Sequence, residues 1–104
     1  MHSRRPRVFI SHASADAVTA HAVEALLGEQ GIDAWLDQSD IRAGQLLRVE
    51  LQTSIASARV VVLLWSRAAA RSRWVRAELL MAYHENRFVV LCCLDAAPWP
   101  DFLQ

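Results

Sequence analysis

Lysine is absent from this chain, whose 11 basic residues are all arginine, a bias we read as genome composition rather than function. Neither charge sign is in excess, since 11 acidic residues bring the net charge to zero. That excludes a dedicated nucleic-acid binder, which carries a basic surplus to meet phosphates. Cysteine is reduced to two adjacent residues, Cys92 and Cys93. Neighbours in an extended segment point to opposite faces, so a disulfide between them would be badly strained. The C-x-x-C spacing of redox and zinc sites is missing as well. They read as two buried, reduced thiols of a cytosolic protein. His2, His12, His21 and His84 have no ligand spacing with either cysteine, so no metal site is expected. No apolar run, 60–65 included, is long enough to cross a bilayer. The basic start His2-Ser3-Arg4-Arg5-Pro6-Arg7 is followed only by Val8-Phe9-Ile10, too little for the core of a signal peptide. Neither a membrane nor a nucleic acid is therefore expected as a partner.

What is present is 104 residues, 54% of them apolar, which suits one compact domain with one core. Residues 1–6 read as a basic tail and 7–104 as the domain. Four short segments rich in β-branched and aromatic residues, at 7–11, 32–36, 60–65 and 88–94, read as strands. The first, third and fourth are nearly continuous apolar runs, as parallel strands covered on both faces require. Helical periods fill the gaps. Residues 16–30 place Val18, Ala22, Ala25 and Leu26 on one stripe, with Gly31 as a stop. Residues 45–58 repeat apolar positions at Leu47, Leu51 and Ile55. Ser72 can cap a third helix running to about Glu85, with Asn86 ending it. Ala68-Ala69-Ala70 reads as an alanine cluster inside a loop.

One helix per gap between strands predicts an α/β, flavodoxin-like, doubly wound parallel sheet of strand order 2-1-3-4. The segment Ala97-Pro98-Trp99-Pro100 reads as a stiff loop rather than a closing terminus. The expectation is a fold truncated before its last strand and helices, the front part of a longer protein.

Ligands in such sheets bind beyond the carboxyl ends of the strands, where strand order reverses. Here that crevice lies between the loops at Ser11-His12-Ala13-Ser14-Ala15-Asp16 and Ser66-Arg67-Ala68-Ala69-Ala70-Arg71. Glu78 sits four residues after Trp74 on the helix leaving the second loop, so the two share one helix face. Read alone, Glu78 is a solvated charge favoured by the helix dipole. Trp74 then is a packing residue, His12 a loop hydrogen-bonder, Asp16 an N-cap, and Arg67, Arg71 and Arg73 a solvated face or a contact surface. No G-x-G-x-x-G follows the first strand, and no phosphate-binding glycine loop exists. An acidic residue at the end of the third strand, as a receiver domain needs, is replaced by Trp65-Ser66.

Four segments in order nevertheless carry a resemblance. They are Val8-Phe9-Ile10-Ser11-His12-Ala13-Ser14-Ala15-Asp16, Trp35-Leu36-Asp37 through Ile41-Arg42-Ala43-Gly44, Ala58 through Ser66, and Ser72-Arg73-Trp74 through Glu78. Together they resemble the Toll/interleukin receptor (TIR) domain, bacterial type, NAD-cleaving class, across nearly all of residues 7–102. The second segment lacks the proline of many receptor and adaptor members.

The resemblance implies an NAD glycohydrolase, an effector domain of a larger, assembly-activated, cytoplasmic protein with a role in antiphage defence. NAD is then the substrate, and no separate cofactor is implied. Glu78 would be the catalytic carboxylate and Trp74 the pocket wall. Ser11, His12 and Ser14 would bind polar groups across the crevice, Ser66 would also bind substrate, and Arg67, Arg71 and Arg73 would meet the pyrophosphate. Asp37 and Gly44 would position the flap, Leu47 would bind substrate, and the 37–44 loop would contact other TIR copies. The same resemblance also admits a non-catalytic TIR–TIR signalling module and, less readily, a virulence factor.

Overall fold

Two of the apolar runs, Arg7–Ser11 (β1) and Val60–Trp65 (β3), lie side by side in the middle of a parallel sheet. Runs of this kind carry apolar side chains on both faces, and only a strand covered on both sides buries them all. The computed structural model describes residues 7–36 and 55–100. It places β2 (Asp33–Leu36) outside β1 and β4 (Phe88–Cys93) outside β3. The order is β2-β1-β3-β4 with every pair parallel, the doubly wound arrangement expected from the spacing. Expected features at 1–6, 37–54 and 101–104 lie outside the described residues.

The period of two along each strand sorts the core into two layers. Val8, Ile10, Val60, Val62 and Leu64 pack with Ala20, Val23 and Leu27 of α1 (Ala17–Glu29). Phe9, Val61, Leu63 and Trp65 point the other way, toward α2 (Arg67–Arg71) and α3 (Arg73–His84). Ile55 and Ala58, the last part of the expected 45–58 helix, are buried with Phe9 and Val61.

Both expected helix stops are present. After α1, Gly31 takes φ +78°; its N–H bonds the Gly28 carbonyl and the Ile32 N–H bonds that of Leu27, each at 3.0 Å. After α3, Asn86 takes φ 57°, with Asn86 N–H on the Tyr83 carbonyl and Arg87 N–H on that of Ala82. This paired closure satisfies carbonyls that a helix end leaves open, and it uses the left-handed conformation that glycine and asparagine adopt most readily.

Three expectations are corrected. The stripe Val18, Ala22, Ala25, Leu26 faces outward, with Val18 85% and Leu26 61% exposed, while Ala20 is fully buried. Alanine occurs on both sides of α1, so periodicity marks two faces about equally. The entry turn Ser14–Asp16 and the glycine exit set the rotation instead. Residues 67–71, expected as loop, are helical: alanines favour a helix, and the Ser66 side chain accepts from Ala69 N–H at 3.1 Å as an N-cap. Finally, Cys93 is exposed and Cys92 half-buried rather than both being buried, because β4 is an edge of the described sheet.

Beyond β4 the chain turns back over the ends of the central strands. Leu94 N–H bonds the Trp65 carbonyl at 2.8 Å, and the Trp65 indole N–H bonds the Pro98 carbonyl at 2.8 Å. The Asp95 carboxylate accepts from the backbone N–H of Arg67 at 3.0 Å and of Ala97 at 2.9 Å. Those two donors, Arg67 first, hold its pKa below the ordinary value.

Two measurements check this account. Ile10→Ala, at a fully buried position, is expected to lose about 2–5 kcal/mol in urea unfolding. Val18→Ser should stay within about 0.5 kcal/mol, and a larger loss would mean that α1 buries the other face. Because folding depresses the Asp95 pKa, its contribution is complete above the unfolded value and is lost as pH falls through the folded one. Asp95→Asn should therefore remove part of the acid-side loss of stability, read as a flatter melting-temperature profile below about pH 4.

Candidate active site

The site begins with Ser72, whose side chain accepts from Val75 N–H at 3.1 Å and fixes the first turn of α3. From that start the apolar positions Val75, Leu79 and Ala82 turn inward, and Glu78 falls on the same buried face. Trp74 stands one turn earlier, half-buried on the flank. Its indole N–H donates to Glu78 Oε2 at 2.7 Å.

The second fixed point is on the sheet. Ser11 ends β1 and shares its face with Phe9 by the period of two, so its side chain meets α3 rather than α1. The Ser11 hydroxyl donates to Glu78 Oε1. Ser11 and Glu78 are both fully buried. An ionised carboxylate removed from water costs several kcal/mol unless hydrogen bonds replace its hydration, and here both oxygens receive donors. The solvated-charge reading of Glu78 is thereby excluded.

Because an indole N–H can only donate, Oε2 must be an acceptor, whereas the Ser11 hydroxyl can donate or accept. Both carboxylate oxygens thus act as acceptors in this group.

A second tie spans the crevice. The Ser66 hydroxyl donates to Asp16 Oδ2 at 2.6 Å and also caps α2. Asp16 occupies the N-cap position of α1 but makes no capping bond there; its carboxylate crosses to Ser66 instead. The loops after β1 and β3 are thus joined at the reversal of strand order.

Of the residues singled out from the sequence, Ser11, Trp74 and Glu78 form one hydrogen-bonded group. Ser66 lies beyond the end of β3, with its hydroxyl engaged by two protein partners. His12 is half-buried next to Ser11, and Ser14 is exposed in the turn before α1. Arg67, Arg71 and Arg73 are all exposed around α2 and the start of α3. Asp37, Gly44 and Leu47 lie outside the described residues. The direct Ser11–Glu78 contact was missed from the sequence. The signal for it was parity, since a residue two after the inward-facing Phe9 shares its face. Among the described residues no three or more His, Cys, Asp or Glu cluster as a metal site. No described helix is long and apolar enough to cross a membrane.

Comparison with known proteins supplies a context. The sequence profile of the TIR domain matches residues 8–104. The TIR domain of the Toll-related receptor TRR-2 from Hydra magnipapillata superposes with a TM-score of 0.79 at 15% identity, covering 92% of this chain and 76% of that one. The TIR domains of the activated Roq1 resistosome, which recognises the pathogen effector XopQ, give 0.71 at 27% identity, over 89% of this chain and 60% of theirs. A metazoan TIR-STING receptor from C. gigas gives 0.71 at 23% identity, over 94% of this chain and 35% of its own length.

The hydrogen-bond pattern separates two substitutions. In Glu78→Gln the amide oxygen can keep the Trp74 indole while the Ser11 hydroxyl turns to accept from the amide nitrogen. The fold should survive with a loss of about 1 kcal/mol or less. Glu78→Ala strands two buried donors beside a cavity and should lose about 3 kcal/mol or more. Urea unfolding of both variants checks this, and equal losses would contradict the bonding described.

Proposed function

This chain belongs to the TIR domain family, and from that premise we propose that it cleaves NAD between ribose and nicotinamide. The observation that carries the reading is the Glu78 carboxylate, held by Ser11 and Trp74 at the carboxyl end of β1, where open parallel sheets place their chemistry. In the reaction the C1′–N bond breaks and its electron pair passes to the pyridinium nitrogen. Nicotinamide leaves neutral, so no acid is needed. Positive charge develops on the ribose, as in glycoside hydrolysis, and a fixed carboxylate stabilises it. Preorganised groups of this kind contribute about 3–4 kcal/mol. Water then adds to C1′ and releases a proton, giving ADP-ribose; attack by an adenine nitrogen would give a cyclic product.

In this reading Trp74 forms the wall beside the ribose, His12 and Ser14 meet polar groups of the dinucleotide across the crevice, and Arg71 meets the pyrophosphate. Asp37 and Gly44 would position the flap, Leu47 would bind substrate, and the 37–44 loop would meet a second copy. NAD is a substrate, and no further cofactor takes part. Full burial of Glu78 also bears on regulation. A carboxylate sealed from water cannot touch a ribose, so its cover must open before turnover. Assembly of several copies in the cytoplasm would open it, which suits an effector domain that depletes NAD when a defence response, such as one against phage, is triggered.

The same burial favours a second reading. A carboxylate with both oxygens satisfied by protein donors also serves as an internal tie between β1 and α3, as a non-catalytic TIR–TIR signalling module could use.

One assay decides between them. The full chain is incubated with NAD over a range of protein concentrations, and nicotinamide release is followed by chromatography. Turnover per chain is expected to rise with concentration and to fall about 100- to 1,000-fold in Glu78→Gln. Unchanged turnover in that variant removes Glu78 from the mechanism. No turnover at any concentration selects the signalling module.

A further inference from the structure

We propose that Ser11 is a positioning residue for the Glu78 carboxylate, setting where it stands relative to the sheet, rather than a group that touches substrate. The inference rests on the reading of Glu78 as the catalytic carboxylate and adds a role within that site.

Trp74 and Glu78 lie four apart on the same helix, so their hydrogen bond fixes the carboxylate relative to α3 alone. If α3 shifts, Trp74 shifts with it. The Ser11–Glu78 bond joins residues 67 apart in sequence and crosses from sheet to helix. Among the described residues it is the hydrogen bond that ties this carboxylate to the sheet. The ribose must sit at the carboxyl end of β1, so the separation that matters is that between Glu78 and the tip of β1. Ser11 is the tip of β1.

Ser11 is also badly placed to bind substrate. Its side chain is fully buried, and its one proton is committed to Oε1. Its backbone is held by the pairing of β1 with β3, where it stands opposite Leu63. A short side chain on a strand in the middle of the sheet has little freedom, which suits a reference point. Removing the hydroxyl leaves the Glu78–Trp74 bond within α3 and takes away the carboxylate's hydrogen bond to the tip of β1. A misplacement of about 1 Å in a reacting geometry can lower a rate about 100-fold.

The test compares the wild-type chain with Ser11→Ala, Ser11→Thr and Glu78→Gln, measuring kcat and KM for NAD by nicotinamide release and melting temperature alongside. The expected result is a fall in kcat of about 10- to 100-fold in Ser11→Ala with KM changed less than about threefold. Ser11→Thr keeps the hydroxyl but adds a methyl group in a buried place. It is the harsher change by volume and the milder by hydrogen bonding, so a positioning role predicts more activity in Thr than in Ala. A purely structural role predicts the reverse. Independently of turnover, the indole N–H resonance of Trp74 should move in Ser11→Ala as the carboxylate reorients, and return toward its original position in Ser11→Thr.

The outcomes are distinguishable. If Glu78→Gln abolishes turnover while Ser11→Ala keeps kcat within twofold, the positioning role is overturned and the catalytic reading of Glu78 stands. If Ser11→Ala raises KM with kcat unchanged, Ser11 binds substrate and the proposal is likewise overturned. If Glu78→Gln retains full turnover, the catalytic reading fails and the positioning role falls with it.

Discussion

A carboxylate buried at the junction of sheet and helix is the constraint around which this domain is arranged. Glu78 is fully buried, and its charge is tolerable there because Ser11 and Trp74 each donate to one of its oxygens. Each partner demands something of the fold. The Ser11 bond requires β1 to end one residue after Ile10, with its last side chain turned toward α3. The Trp74 bond requires an unbroken turn between residues 74 and 78, which the Ser72 cap secures. A shift of α3 by one residue would exchange Glu78 for Leu79 or Ala77 and leave the hydroxyl and the carboxylate without each other.

The neighbouring ties serve the same end. The Ser66–Asp16 bond closes the two loops at the crevice, and Asp95 joins the end of β4 to the start of α2 through the Arg67 N–H. Trp65 is clamped from behind by the Pro98 carbonyl and packs with Val75 and Leu79 of α3. Through these contacts α3 is set against β3 on one side and β1 on the other. The backbone of α3 is therefore held from several sides, whereas the Glu78 carboxylate itself is oriented by its own bonds to Ser11 and Trp74.

Much of this was legible in the residues. The apolar runs at 7–11, 60–65 and 88–94 read as strands covered on both faces, which holds for β1 and β3, whereas β4 is an edge of the described sheet. The order 2-1-3-4 came with the flavodoxin-like reading and is the order found. Gly31 and Asn86 closed their helices as read. Trp74 and Glu78 were paired by the helical period alone. Other features were hidden for physical reasons. The inner face of α1 could not be chosen by periodicity, because alanines dilute the contrast between its sides; the turns at its two ends decide it. The helix at Arg67–Arg71 was masked by its length, since five residues give little periodicity. The burial of Glu78 ran against the ordinary behaviour of acidic residues, which are almost never fully buried without partners. Its partner lay 67 positions away, at a distance where only the alternation of strand faces carries information.

A buried, satisfied carboxylate sets a condition on any chemistry at this site. Ser11 and Trp74 each approach one oxygen along one direction, whereas a carboxylate accepts from about four. In the proposed reaction, these two donors by themselves do not exclude hydrogen bonds from ribose hydroxyls. The proposed chemistry therefore asks two things of Glu78 at once, burial with both oxygens accepting hydrogen bonds and a place at the carboxyl end of β1.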